Sequence, residues 1–341
     1  MKDFIYFPIV KTRDAELKAM SYLDKTTFDF ILPIYELTKS RKSKITPDGD
    51  IHKKMIELKR IQGDRPFILD LCANENYINP QIETLLSPEN GYYEWVYFLN
   101  TYNYMNIIPM VHIYDDDDFQ EVENFVTSPY LKEKSLAVRI PFDVEDIDKF
   151  IMPITDNLMG TYLYVIIDLG QMLLPLDEIE SKVIDRINEI NKIEYKKIIT
   201  IVSGTSFPKT VGQFGEHEGV FEILEEKLYL SLSSQFSIKY GDYASINIEQ
   251  IEMKGGTFIP RIDISLNDTF VYKRYRRTEG SYPLCAKKMI ADIRYTSLAT
   301  WADSEIKSAA EGIPSGISPS FWIAVRMNYF MTKRVNLRQG K

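Results

Sequence analysis

Hydrophobic positions along this chain fall into short runs that alternate with amphipathic segments. The runs are IYFPIVK (5–11), FILPIYE (30–36), RPFILDL (65–71), NIIPMVHI (106–113), SLAVRI (135–140), LYVIIDL (163–169), KIITIVS (197–203) and IKYGDYASI (238–246). Most are rich in Ile, Val, Leu, Phe or Tyr without strict alternation, the pattern of a strand covered on both faces in a parallel sheet. Helical spacing lies between them, in AELKAMSYL (15–23), HKKMIELKRI (52–61), FQEVENFV (119–126), LDEIESKVIDRINEI (176–190) and a segment over 219–234. In the fourth of these, Ile179, Val183, Ile187 and Ile190 fall on one face. Eight strands with intervening helices predict an α/β fold, a (β/α)8 TIM-like barrel over about residues 4–250. A doubly wound open sheet is the alternative.

After residue 248 the pattern changes. IPRIDISL (259–266), the turn Asn267-Asp268 and TFVYKRY (269–275) read as a β-hairpin. Helical stretches follow at 283–295 and 300–311. A last helix starts at Ser318-Pro319, with Ser as N-cap and Pro at the first helical position, carrying Trp322, Val325, Tyr329 and Phe330 inward. No linker interrupts the chain. Residues 251–341 therefore read as a hairpin and helical cap packed on the barrel, within one domain spanning 1–341.

The composition narrows the functional classes. The 341 residues are 45% hydrophobic, enough for a barrel-sized core, and the net charge is −8. Phosphate neutralisation needs the opposite sign, so nucleic acid is not an expected partner. Cys72 and Cys285 share no CxxC spacing and read as reduced thiols, at least one of them in the core. No apolar run approaches the ~20 residues of a membrane span, and the first residues lack a signal-peptide core. A cytoplasmic protein without a membrane partner is expected.

Candidate chemistry gathers at the strand ends. Pro8, Pro33 and Pro109 each open the form Pro, two apolar residues, polar residue, and Pro66 opens a longer version. Proline belongs near a strand start, so the polar residue falls at the carboxyl end. Barrel active sites sit at those ends. One set per strand gives Lys11 and Arg13, Glu36, Asp70, His112, Arg139, Asp168, Ser203 with Ser206, then Lys239 with Asp242. Glu36, Asp70, Asp168 and Asp242 could hold Mg²⁺, with Lys11, Arg13 and Arg139 on an anionic ligand. Plain ion pairing would account for the same residues. The Ser203–Ser206 loop could bind phosphate, as loops after the seventh strand of barrels do. Lys11 invites a Schiff-base reading only if burial lowers its pKa. His112 could act as acid or base but cannot build a zinc site, and His52 and His217 lie in polar stretches. Asp115–Asp118 suit a helix N-terminus, with metal binding as the other reading. Lys273, Arg274, Arg276 and Arg277, interleaved with Tyr272 and Tyr275, form a candidate interaction surface or simply a solvated face.

Several segments in order resemble the Beta protein family. They are YFPIVKTRDAELKAMSYL, ILPIYEL, FILDL, LAVRI, VIIDLG, SGTSFPKTVG, KYGDYAS and EIKSAAEG, then GISPSFWIAVRMNYFMT, together spanning Tyr6 to Thr332. The family often has a His pair where Tyr329 and Phe330 stand, so any role of that pair is not carried over. The resemblance implies a place in phage–host or phage–phage conflict. In the family's namesake setting the protein is encoded beside a killing protein and counteracts it, so a protein partner encoded nearby is expected. It implies no established reaction. The residues themselves leave a second reading open, an enzyme or sensor taking a phosphorylated or nucleotide-like ligand at the mouth.

Overall fold

The computed structural model describes residues 3–113, 119–248 and 258–340. The acidic run Asp115–Asp118 lies outside the described residues. In chain order the strands are β1 (Tyr6–Lys11), β2 (Ile34–Leu37), β3 (Phe67–Leu71), β4 (Ile107–Val111), β5 (Leu136–Pro141), β6 (Leu163–Gln171), β7 (Ile198–Thr205), β8 (Glu218–Glu222), β9 (Lys239–Asp242), β10 (Arg261–Ser265) and β11 (Thr269–Arg274). β1 to β7 pair in sequence, and β9 closes the circle between β7 and β1, every pairing parallel. The fold is a TIM-like α/β barrel, as the alternation predicts.

Strand parity sorts the core. Phe7, Ile9, Ile34, Ile68, Met110, Ala137, Tyr164, Ile166 and Ile201 fill the lumen. Tyr6, Val10, Tyr35, Leu69, Val138, Val165 and Tyr240 face the helices. Ile179, Val183, Ile187 and Ile190 of the helix Leu176–Ile190 are buried as their spacing requires.

Two expectations shift. Residues 218–222 form β8 rather than the first turn of a helix, and the helix begins only at Leu224. β8 pairs antiparallel with β11, so the predicted hairpin becomes a three-stranded sheet in the order β10-β11-β8. That pairing is non-local, and local periodicity does not register it. Pro33 and Pro66 sit just ahead of β2 and β3, whereas Pro8 and Pro109 lie inside β1 and β4.

Beyond the sheet come the helices Ser281–Ile290, Trp301–Ala310 and Pro319–Arg338. The last is capped by Ser318, whose hydroxyl accepts from the Phe321 amide at 3.2 Å. Its Trp322, Val325 and Tyr329 join the cap's own core, while Met327, Phe330 and Met331 join the barrel's outer core. One helix thus cements both layers. Among the described residues no helix is long and apolar enough to cross a membrane. Both cysteines are buried and unpaired, and burial pushes the thiols up to about 11 (Cys72) and about 12 (Cys285), which keeps them protonated.

Candidate site at the barrel mouth

Lumen-facing parity carries Lys11, Glu36, Asp70, Arg139 and Asp168 to one end of the barrel, each where its strand leaves the apolar layer. Arg139 is the hub. Its Nη1 donates to Glu36 Oε1 at 2.7 Å and Asp70 Oδ2 at 2.9 Å. Nε donates to Asp168 Oδ2 at 2.8 Å, and Nη2 to the Tyr243 hydroxyl at 2.9 Å. The Tyr243 hydroxyl in turn lies 2.7 Å from Asp168 Oδ1. Lys11 Nζ pairs with Glu36 Oε2 at 2.5 Å. Five sequence candidates, spread from β1 to β6, therefore form one network.

Local backbone features aim two of these groups. β6 carries a register shift between Asp168 and Gly170, and Gly170 takes a positive φ of 58° while its amide donates to Asp168 Oδ1 at 3.0 Å. After β9, Ala244 and Ser245 hold positive φ values of 48° and 67°, unusual for non-glycine residues. The Ala244 amide donates to Asp242 Oδ1 at 2.7 Å and secures that turn.

The electrostatics follow from burial and from Arg139. Burial would raise Glu36, but Arg139 and Lys11 outweigh it and hold the carboxyl at about 2. Burial raises Asp70 to about 6 against the pull of Arg139, with Glu36 adding repulsion. Burial and then Arg139 lower His112 to about 3, so the imidazole is neutral at neutral pH. Its Nδ1 stands 3.9 Å from Asp70 Oδ1. Burial alone would lower the Lys11 ammonium, yet Glu36 reverses this and raises it. The depressed lysine pKa that a Schiff base needs is absent.

Other candidates stand elsewhere. Asp242 lies on the opposite face of β9, where it accepts from the Tyr6 hydroxyl at 2.6 Å among residues packed on the helices. The lumen position at this strand's end belongs to Tyr243. Lys239 sits at the start of β9, at the other end of the barrel, paired with Asp3 at 2.8 Å. Without Asp242, the proposed Mg²⁺ ligands reduce to three carboxylates already gathered on a guanidinium. Among the described residues no group of three His, Cys, Asp or Glu is arranged to hold a metal. These residues do not fit Mg²⁺, because Arg139 stands where the cation would.

The Ser203–Ser206 loop is also committed. Ser203 is fully buried, and among the described residues its hydroxyl has no hydrogen-bond partner. Glu225 Oε2 accepts from the Ser206 amide at 2.9 Å and the Ser206 hydroxyl at 2.5 Å. A carboxylate of the chain itself thus takes the donors that a phosphate would need. Burial raises Glu225 to about 7, although Ser206 lowers it. An acid raised in the folded state contributes stability below its unfolded pKa, near 4.3, and loses it as pH climbs through 7. Glu225→Gln removes that dependence. Relative to wild type, the variant should gain stability between pH 5 and pH 8, up to about 3 kcal/mol. Urea unfolding at the two pH values reads the difference, and parallel pH profiles would exclude it.

The basic run near residue 275 does not form one face. Lys273 is buried and pairs with Glu218 and, at 2.8 Å, with Asp292. Tyr272 is buried and donates to the Val211 and Gly215 carbonyls. Arg274 is half-buried, Arg276 is exposed, and Arg277 lies over the Phe258 ring. Tyr275 stacks on His217, and His52 Nδ1 lies 2.6 Å from the Tyr102 hydroxyl.

Between the mouth and the cap lies a cavity of about 610 Å³. Lys11 and Arg13 reach it from β1 and the turn after it; Arg261, Asp263 and Arg326 reach it from the cap. The sequence reading found Lys11 and Arg13 here. It missed Arg261 and Arg326, because tertiary packing alone brings the cap over the mouth, and Tyr77, Phe207 and Lys209, which lie in the loops beyond the ends of β3 and β7 rather than at the strand ends themselves. Tyr243 was within reach: in KYGDY the large outward Tyr240 sets the parity, which leaves Gly241 and Tyr243 inward.

Comparison with known proteins adds the lineage. The sequence model described as Beta protein matches residues 6–336. The chain is similar to the protein named Protein beta from Enterobacteria phage P4, 29% identical over 348 residues, covering 99% of this chain and 95% of that protein.

Proposed function

This chain belongs to the Beta protein family, and from that premise we propose that it is a regulatory binding protein of a phage-conflict module. On this reading it acts in the cytoplasm by engaging a toxic partner protein encoded beside it. The likeness to a phage protein runs through barrel and cap alike, so the reading concerns the whole chain. The observation that carries it is the Arg139 network. All three mouth carboxylates are tied to one guanidinium, and Lys11 is tied to Glu36. A carboxylate in such a lattice stiffens a scaffold and gives up the freedom that proton or metal exchange needs.

The experiment is co-expression with the product of the neighbouring gene. The two proteins should co-elute, and this chain should restore growth when its neighbour is toxic. A neighbour that is harmless and does not bind would refute the proposal. The double variant Asp70→Asn with Asp168→Asn should keep full rescue, since both amides can still accept from Arg139. Lost rescue in a variant with normal unfolding would move the function into the mouth.

A further inference from the structure

The geometry points to the cavity between mouth and cap as a binding site for a small organic phosphate of nucleotide-like chemistry, and we propose it as such. Its volume, about 610 Å³, suits a ligand of that size. Its lining is rich in cations. Lys11, Arg13, Lys209, Arg261 and Arg326 line it together with the carboxylates Glu16 and Asp263, and Lys11 is already paired with Glu36. Asp263 serves two guanidinium groups, Arg261 at 3.0 Å and Arg326 at 3.4 Å.

Arg326 is the residue that asks for a ligand. It is buried on the closing helix, and its bonds to Ser245 at 3.3 Å and Asp263 at 3.4 Å are both long. Its Nη2 makes no hydrogen bond among the described residues. Burial lowers this guanidinium to about 10, and Asp263 does not restore it. A buried cation short of counter-charge is relieved by an arriving anion, and a guanidinium fork matches the geometry of a phosphate. Arg326 and Arg261 stand 4.1 Å and 5.7 Å from the centre of the Phe207 ring, so the positive charge is concentrated on one wall.

The rest of the lining suits the remainder of such a molecule. Ile246, Ile323 and Trp322 supply apolar surface for a planar body. Glu16 is buried, with Oε2 unbonded among the described residues, and offers an acceptor to a ligand hydroxyl. Phosphate, hydroxyl and apolar ring together describe a nucleoside monophosphate.

Isothermal titration of the full chain with the four ribonucleoside 5′-monophosphates, with adenosine and with inorganic phosphate tests this. At least one monophosphate should bind, at least tenfold tighter than adenosine or phosphate, and more weakly as salt rises. Arg326→Gln should cost tenfold or more. Lys209→Gln with Arg13→Gln, at positions that are not buried, should weaken binding even where Arg326→Gln fails to fold. No binding by any monophosphate would overturn the site. Phosphate binding as tightly as the monophosphates would overturn the ligand class. Undiminished binding in the variants would place the ligand elsewhere.

Discussion

Replacing Arg139 with Met should destabilise the protein by about 3–5 kcal/mol at pH 7, the range for removing one partner from a buried ion pair. The guanidinium satisfies Glu36, Asp70 and Asp168 at 2.7–2.9 Å. Without it Glu36 keeps Lys11, Asp168 keeps the Tyr243 hydroxyl, and among the described residues Asp70 keeps only the Leu71 amide, which donates to its Oδ1 at 2.8 Å, and a neutral histidine nearby. The sign of the pH dependence follows. In the wild type, Glu36 is held at about 2, so its contribution is present above its unfolded pKa and is lost as pH falls from about 4.3 through 2. Asp70, raised to about 6, contributes in the opposite sense: its stabilisation is full below about 3.9 and is lost as pH rises through 6. In the variant Glu36 and Asp70 lose the cation that lowers them and move up, so the folded state takes up protons. The deficit should therefore narrow as pH falls from 7 to 5. Urea unfolding of both proteins across that range checks it, and a deficit below 1 kcal/mol or one that widens toward acid would refute the network's role.

A comparable loss is expected for Arg334→Leu, about 3–5 kcal/mol, for a different reason. Arg334 is fully buried on the closing helix. Its Nη1 donates to Glu226 Oε2 and to the Asn267 carbonyl, both at 2.7 Å, and its Nη2 donates to the Leu266 carbonyl. One side chain thus ties the β10–β11 turn to the helix Leu224–Ser233 of the barrel. Leucine would take the donor away from both turn carbonyls and, among the described residues, leave Glu226 with Arg338 alone, at 2.8 Å. The double variant Arg334→Leu with Glu226→Leu should recover part of the loss, because the stranded carboxylate disappears with its partner. Additive losses in that cycle would mean the two groups do not act as a pair.

The two arginines mark the boundary of what the sequence makes legible. Arg139 ends an apolar run, SLAVRI, and parity with Ala137 places it in the lumen, so its arrival among Glu36, Asp70 and Asp168 could be read from register. Asp242 was misplaced by a single residue, and in a strand one residue exchanges lumen for helix layer. Arg334 and Arg326 carry no comparable mark. They lie in a long helix whose buried residues run nearly all the way round it, and helical spacing does not tell which neighbour each side faces.

The sequence by itself determined the barrel, the order of its strands, the closing helix with its Ser318 cap and most of the mouth network. These depend on short-range patterning: apolar runs, parity and capping residues act within a few positions of one another. Tertiary structure alone decided three things. β8 leaves the helical pattern to pair with β11, an edge that only long-range hydrogen bonding can satisfy. Glu225 reaches back to occupy the donors of the Ser206 loop. The cap folds over the mouth, and Arg261 and Arg326 meet Lys11 and Arg13 around one cavity. Each joins groups far apart in the chain, and their meeting is set by packing, which no local pattern encodes.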